Sequence, residues 1–283
     1  MIRAFLRQND GLATGRVWLR SLVRRVQRAL TDAGFALEVD GLFGAQTHSA
    51  ILEFQELHGL EQAEGVEQST WDALGPHLAD AEIELPLELD RFRGDLEWLQ
   101  DQEGFSGEPY WPGGVSGVTL DPGVDLGHFG SWEMLAELYR DWVSEEQLSA
   151  MRSAFGFKAE DARIVLRDSD TLQGIRITEE AVRFLMPRAA APFWDGITTR
   201  FDPLVEDETP PSVQTVLLSL AYNRGSQNRH LESLRELLAA RDWEGVAQKV
   251  SRMQQGHALL GVRVRRRHEA SLIRAELEFL SAS

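Results

Sequence analysis

The sequence predicts a mainly α protein: an N-terminal unit of three helices, joined to a larger α+β part with a small β-hairpin at its site. Three observations predict it. Apolar residues recur at helical spacing in both parts, at Val23, Val26 and Leu30, at Ile51, Phe54 and Leu57, and at Leu96 and Leu99. Residues 104–128 break that rhythm, with repeated glycines between aromatic and β-branched residues, which reads as a small twisted hairpin or meander. Residues 79–91, ADAEIELPLELDR, are acidic, contain Pro86 and lack helical periodicity, as a linker does. The expected division is therefore 1–78, a linker over 79–91, and 92–283.

In the first unit, Val23, Val26, Gln27 and Leu30 fall on one helix face, and Gly34 is a suitable C-terminal stop. The turn VDGLFGAQT follows over 39–47, with Asp40-Gly41 suited to a tight reversal. A second helix is expected from Thr47, lined by Ile51, Phe54, Gln55 and Leu57 and ended by Gly59-Leu60. Ser69-Thr70-Trp71 opens a short third helix that stops near Leu74-Gly75.

In the second part, Phe92, Leu96, Leu99 and Glu103 are spaced four, three and four residues apart, which places Glu103 on an apolar helix face. A carboxyl group there loses hydration and its pKa rises, which suits a general acid. The alternative for such a residue is a helix-end Glu facing solvent or paired with an Arg. Beyond Glu103, the glycine-rich segment holds Thr119, Asp121 and Asp125, with Tyr110 and Trp111 available to stack on sugar rings or to fill a core. Asp121-Pro122-Gly123 also suits a turn. Further on, Thr178 reads as an N-cap with acids in the first turn, and Pro211 suits the first turn of a later helix.

Composition narrows the chemistry. The chain has 283 residues, 43% apolar and 26% charged, as globular proteins do, and no apolar run nears the ~20 residues of a membrane span. Its N-terminus, MIRAFLRQNDG, has too short an apolar stretch for a secretory signal, so the protein is expected to accumulate in the cytoplasm of its host until released. With no cysteine, disulfides and thiolate catalysis are excluded. None of the seven His residues forms a close metal pair, and no metal or organic cofactor is expected. A net charge of −16 argues against nucleic acid as a partner and gives no long-range attraction to an anionic cell wall. A monomer is expected.

Two resemblances carry the functional expectation. Val23, Gln27 and Leu30, the run D-G-x-F-G-x-x-T from Asp40 to Thr47, Phe54-Gln55, and T-W-x-x-L from Thr70 to Leu74 together resemble the peptidoglycan-binding domain of many wall hydrolases. That resemblance covers roughly residues 18–75 and implies a shallow wall-binding groove near Asp40, Phe43 and Thr47. Glu103-Gly104, Tyr110 and the glycine-rich hairpin resemble the catalytic region of phage-type lysozymes, the muramidases of phage endolysins and the related pesticin-like toxins. The family uses a Glu, an Asp and a Thr; in the pesticin-like branch the Thr precedes the Asp by six residues, the order and spacing of Thr119 and Asp125. Asp121 is the competing second acid.

Two later motifs extend the second resemblance intermittently to residue 282. One is Gln214 to Gly225, with its A-Y-N-x-G ending; the other is G-V-x-x-R-R-x-x-E-x-x-L from Gly261 to Leu272, where Val262 replaces the family's Leu. Residues 129–176 and 195–210 match poorly. Tyr222-Asn223 also occurs in lytic transglycosylases and goose-type lysozymes, where it shapes the sugar site. The resemblances imply a modular endolysin hydrolysing the β-1,4 bond between N-acetylmuramic acid and N-acetylglucosamine. The alternatives are a lytic transglycosylase giving 1,6-anhydro products and a non-catalytic wall-binding protein.

Overall fold

The computed structural model describes residues 1–78, 89 and 91–282. It is mainly helical, as the apolar spacing requires, with two small antiparallel sheets. In chain order the strands are β1 (Leu6–Arg7), β2 (Gly65–Val66), β3 (Thr119–Leu120) and β4 (Val124–Asp125). The first helices are α1 (Arg20–Asp32), α2 (Ala45–Leu57), α3 (Gln68–Leu74) and α4 (Leu96–Glu103). Then come α5 (Trp132–Tyr139), α6 (Glu145–Ala154), α7 (Ala159–Arg167), α8 (Asp170–Gln173) and α9 (Glu179–Thr198). The last are α10 (Pro211–Arg224), α11 (Arg229–Glu232), α12 (Arg235–Ala239), α13 (Trp243–Arg252) and α14 (Leu260–Ala282). The chain forms two compact units, Met1–Leu99 with Phe193–Ser283, and Gln100–Pro192. The linker expected over 79–91 lies, except for Leu89 and Arg91, outside the described residues.

In the first unit the three N-terminal helices stand where their periodicity puts them. Leu22, Val23, Val26 and Leu30 of α1 meet Ile51 and Phe54 of α2 and Trp71 of α3 in a closed core, all fully buried. Both long helices stop by the same device. After α1, Gly34 at φ +99° lets its own N–H bond to Thr31 and that of Phe35 to Leu30; after α2, Gly59 at φ +64° does the same with Glu56 and Gln55. The sequence does not announce the pairing of β1 with β2, which ties Leu6 to Val66 across the unit.

These N-terminal helices share their unit with the C-terminal ones, a joint that local periodicity could not reveal. The phenyl rings of Phe5 and Phe279 lie 5.1 Å apart, and the indole N–H of Trp98 donates to the carbonyl of Trp18 at 2.8 Å. Arg25 pairs with Asp95 at 3.1 Å, and Arg24 and Arg28 both bind Glu97. Burial opposes the charge on Glu97, yet the bonds from Arg28 and Arg24 outweigh it and hold the carboxyl below its ordinary value of 4.5. A depressed folded-state pKa contributes stability above the unfolded-state value and loses it as pH falls through the folded one. Acidification below about pH 4.5 is therefore expected to weaken this joint. Glu97→Gln should remove that part of the pH dependence, seen as a narrowing gap between the urea midpoints of the two proteins as pH falls. A gap constant with pH would refute it.

Within this unit α10 is buried from Ser212 to Ala221 and has Pro211 in its first turn, as the sequence reading expects. A helix buried on every side has no amphipathic signature and is recognised only by its length and apolar content. It packs on α14, whose Glu269 accepts from the Ser219 hydroxyl at 2.6 Å and forms an ion pair with Arg266 at 2.9 Å. Arg265 joins the same cluster through Ser219.

The second unit is built from α5 to α8 and the first part of α9, packed beside the β3–β4 hairpin. Residues 129–176, which match the phage-type pattern poorly, fold into those short helices. Thr178 caps α9 as its residue type predicts, accepting from the N–H of Ala181 at 3.1 Å.

Candidate active site

The helix that ends at Glu103 starts later than its spacing suggests. Phe92 precedes α4 and packs edge-on against Trp194, with ring centroids 5.0 Å apart. The true start is Asp95, whose side chain accepts from the N–H of Trp98 at 2.9 Å, an N-cap the sequence reading missed. Glu103 is half-buried at the last position of α4, while Trp98 and Leu99 are fully buried. The apolar face therefore consists of the helix's own Trp98 and Leu99, not of a stripe running back to Phe92.

The hairpin follows the expected pattern and shows why its residues alternate. Thr119 stands opposite Asp125, and Leu120 opposite Val124. The N–H and C=O of Thr119 are both spent on the outer neighbour Tyr110, at 2.8 and 3.0 Å. Thr119 and Asp125 are therefore a pair without direct backbone bonds, the kind whose side chains approach closest. Directly opposed residues share a face, so Tyr110, Thr119 and Asp125 form one row across the meander. Thr119 is buried, with its hydroxyl 3.5 Å from the carbonyl of Gly117.

Asp125 is held from three directions. Its Oδ1 accepts from the N–H groups of Gly117 at 2.9 Å and Gly127 at 2.8 Å, and Oδ2 meets Nδ1 of His128 at 3.1 Å. Glycine at 117 is a steric requirement: a Cβ there would lie 2.5 Å from Asp125 Oδ1. His128 reaches Asp125 because the chain turns back at once, with the N–H groups of His128 and Phe129 both donating to the Asp125 carbonyl. The sequence reading passed over His128; its signal was the D-x-x-H spacing directly after a strand.

Asp121 does different work. It sits in the β3–β4 turn, only 5% exposed, and its Oδ2 accepts from the N–H groups of Ser106 at 3.0 Å and Gly107 at 2.6 Å. Its carbonyl accepts from the Tyr139 hydroxyl at 2.7 Å. The carboxylate thus ties the loop leaving Glu103 to the hairpin. Electrostatics link all these groups. Burial raises the pKa of the Tyr110 hydroxyl first, and the negative charges of Asp121, Glu103 and Asp125 raise it further. The charges of Asp121, Glu103 and Asp125 therefore all act on the one Tyr110 hydroxyl. Trp111 also stands here, donating to the Ser116 carbonyl at 3.1 Å.

In the first unit the D-G-x-F-G-x-x-T run is a folding device. The side-chain amide of Gln27 donates to Asp40 at 2.8 Å, to the Leu42 carbonyl at 3.2 Å and to the Thr47 hydroxyl at 3.1 Å, while its oxygen accepts from Gly41 N–H at 2.8 Å. Phe43 and Thr47 are buried, so neither is placed to touch a ligand directly, a correction to the expected wall contacts. Asp40 is exposed but committed to this turn.

Residues 20–74 match the family model of the putative peptidoglycan binding domain. That match spans the three N-terminal helices and the Gln27-centred turn. No curated protein matches the chain. Among solved structures the chain is similar to a Burkholderia AP3 phage endolysin, with 15% identity over 99% of each chain and a TM-score of 0.22. Beside the turn, the peptidoglycan-binding-type region has an open cavity of about 370 Å³, bounded by Phe35, Ala36 and the outward residues Ala45, Gln46, Ser49 and Glu53 of α2.

Tyr222 and Asn223 lie near the end of α10, in the unit that does not hold the hairpin. Tyr222 packs against Phe193, with ring centroids 4.9 Å apart, and Asn223 is exposed. Asn228 serves the helix end instead, donating to the Gly225 carbonyl at 2.6 Å. Among the described residues no helix is long and apolar enough to cross a membrane, and no cluster of three or more His, Asp or Glu side chains suits a metal ion.

Proposed function

We propose that this chain is a peptidoglycan hydrolase of the modular endolysin type, cleaving the β-1,4 bond between N-acetylmuramic acid and N-acetylglucosamine. The observation that carries the reading is the hairpin row of Tyr110, Thr119 and Asp125, with the Asp125 carboxylate fixed by Gly117, Gly127 and His128, and Asp121 tying the loop that leaves Glu103 to the hairpin. Glycoside hydrolysis needs two carboxyl groups with distinct tasks. Glu103, half-buried at a helix end, protonates the leaving oxygen. Asp125, held by backbone N–H groups, deprotonates the attacking water and opposes the positive charge that develops on the sugar. The Thr119 hydroxyl orients that water. Asp121 is the weaker candidate for the second acid, because it is only 5% exposed, whereas a quarter of the Asp125 side chain is open to solvent. The exposed side of Tyr110 offers a sugar-stacking surface beside the acids.

The peptidoglycan-binding-type region supports peptidoglycan as the polymer. Since Phe43 and Thr47 are buried, wall contact is assigned to the neighbouring cavity over Phe35 and α2 rather than to the turn itself. Product analysis tests the reaction. Mass spectrometry of purified peptidoglycan digested with the protein should show reducing muramic acid ends carrying one added water. Anhydro ends would assign a lytic transglycosylase, and intact strands that still pellet the protein would leave only wall binding.

A further inference from the structure

We propose that His128 is a positioning residue for the second acid, fixing which oxygen of Asp125 faces the water; this rests on the hydrolase reading above. A carboxylate has about four acceptor positions. Oδ1 of Asp125 spends two on Gly117 and Gly127, and Oδ2 spends one on His128 Nδ1. One position on Oδ2 is left for a water proton.

A carboxylate can only accept, so the proton between the two side chains belongs to Nδ1 of His128. The ring is therefore held as the Nδ1–H form even when neutral. Gly117 and Gly127 stop the carboxylate from tipping about one oxygen, and His128 stops it from rotating about its Cβ–Cγ bond. Without the third contact, Oδ2 swings through a range of angles and the water loses its fixed base, which slows the chemical step without altering sugar binding. The contact is also built to last, because the turn that brings His128 back is closed by two backbone bonds to the Asp125 carbonyl. His128 itself is largely exposed, at 44% of its side chain, so replacing it removes little packing.

Two measurements test this. Steady-state hydrolysis of soluble, uncross-linked peptidoglycan strands should show His128→Ala with kcat lowered by about 10- to 100-fold, KM unchanged and the unfolding midpoint unmoved. His128→Asn, whose side-chain amide can donate in place of Nδ1, should recover most of that loss. Nitrogen NMR of the wild-type protein should find neutral His128 as the Nδ1–H tautomer, reverting to Nε2–H in Asp125→Ala. An Nε2–H ring in the wild type, an unchanged kcat in His128→Ala, or no recovery in His128→Asn overturns the assignment. Wild-type protein that cuts no strand overturns it together with the hydrolase reading. An active wild type with an equally active His128→Ala overturns the positioning role alone.

Discussion

Glu103→Gln is expected to lower hydrolysis of purified peptidoglycan by about 10²- to 10⁴-fold, the range a positioned general acid contributes. Gln keeps the size and polarity of the side chain and removes only the transferable proton. Because Glu103 is half-buried at the last position of α4, and the helix is fixed by Trp98, Leu99 and the Asp95 cap, folding should be unaffected. Wall binding, assigned above to the region matching the putative peptidoglycan binding domain in the other unit, should also persist in a pelleting assay. Activity within tenfold of wild type would remove Glu103 from the mechanism. Two companion variants separate the remaining acids. Asp125→Asn should abolish activity with little loss of stability. Asp121→Asn should keep most of the activity, because the amide oxygen can still accept from the 106–107 loop as Oδ2 of Asp121 does.

Replacing Glu269 by Ala is expected to have the largest effect on stability. Glu269 and Arg266 are fully buried and Arg265 nearly so, and the single carboxylate faces both guanidinium groups where α14 crosses α10. Removing it takes away the carboxylate that opposes both buried cations, and breaking a buried pair from one side costs about 3–5 kcal/mol. Folded domains hold only about 5–15 kcal/mol in total, so the loss should show as a large fall in the denaturant midpoint and in soluble yield. Ser219→Ala, which removes one hydroxyl from the same cluster, should cost about 1 kcal/mol. Equal midpoints for Glu269→Ala and wild type would show that the cluster is not load-sharing. The contrast between Glu269 and Glu103 follows from their surroundings: one acid is closed in by cations and the other stands half in solvent.

Much of the fold was legible locally. The spacing of Val23, Val26 and Leu30, the glycines that stop α1 and α2, the Thr178 cap and Pro211 at the start of α10 each act within a turn or two of the chain. So does the hairpin, where Gly117 and Gly127 bracket two short runs, Val118 to Leu120 and Val124 to Leu126, on either side of Asp121-Pro122-Gly123. The candidate site was proposed from the same local signals: Glu103, Thr119, Asp121 and Asp125 fall within one stretch, so naming the stretch names them all. What misled was the extension of local reasoning past its reach. Counting back from Glu103 to Phe92 treated four positions as one helix, but the cap at Asp95 begins the helix after Phe92 has turned toward Trp194. Reading the D-G-x-F-G-x-x-T run as a binding surface missed that Gln27, a full helix away in sequence, uses its amide to close that turn from within.

By itself, the sequence determined the mainly helical class, the three N-terminal helices, the hairpin and the group of acids around it, because each follows from periodicity or turn chemistry over a few residues. Only the tertiary structure decided the partners. It joined α1 to the start of α4 through Arg24, Arg25 and Arg28, gave Asp121 a loop to hold, and turned His128 back onto Asp125. The physical reason is the same in each case. An apolar stripe or an acid next to a glycine fixes which way a side chain faces, whereas the group it meets is set by how distant segments close around a shared core.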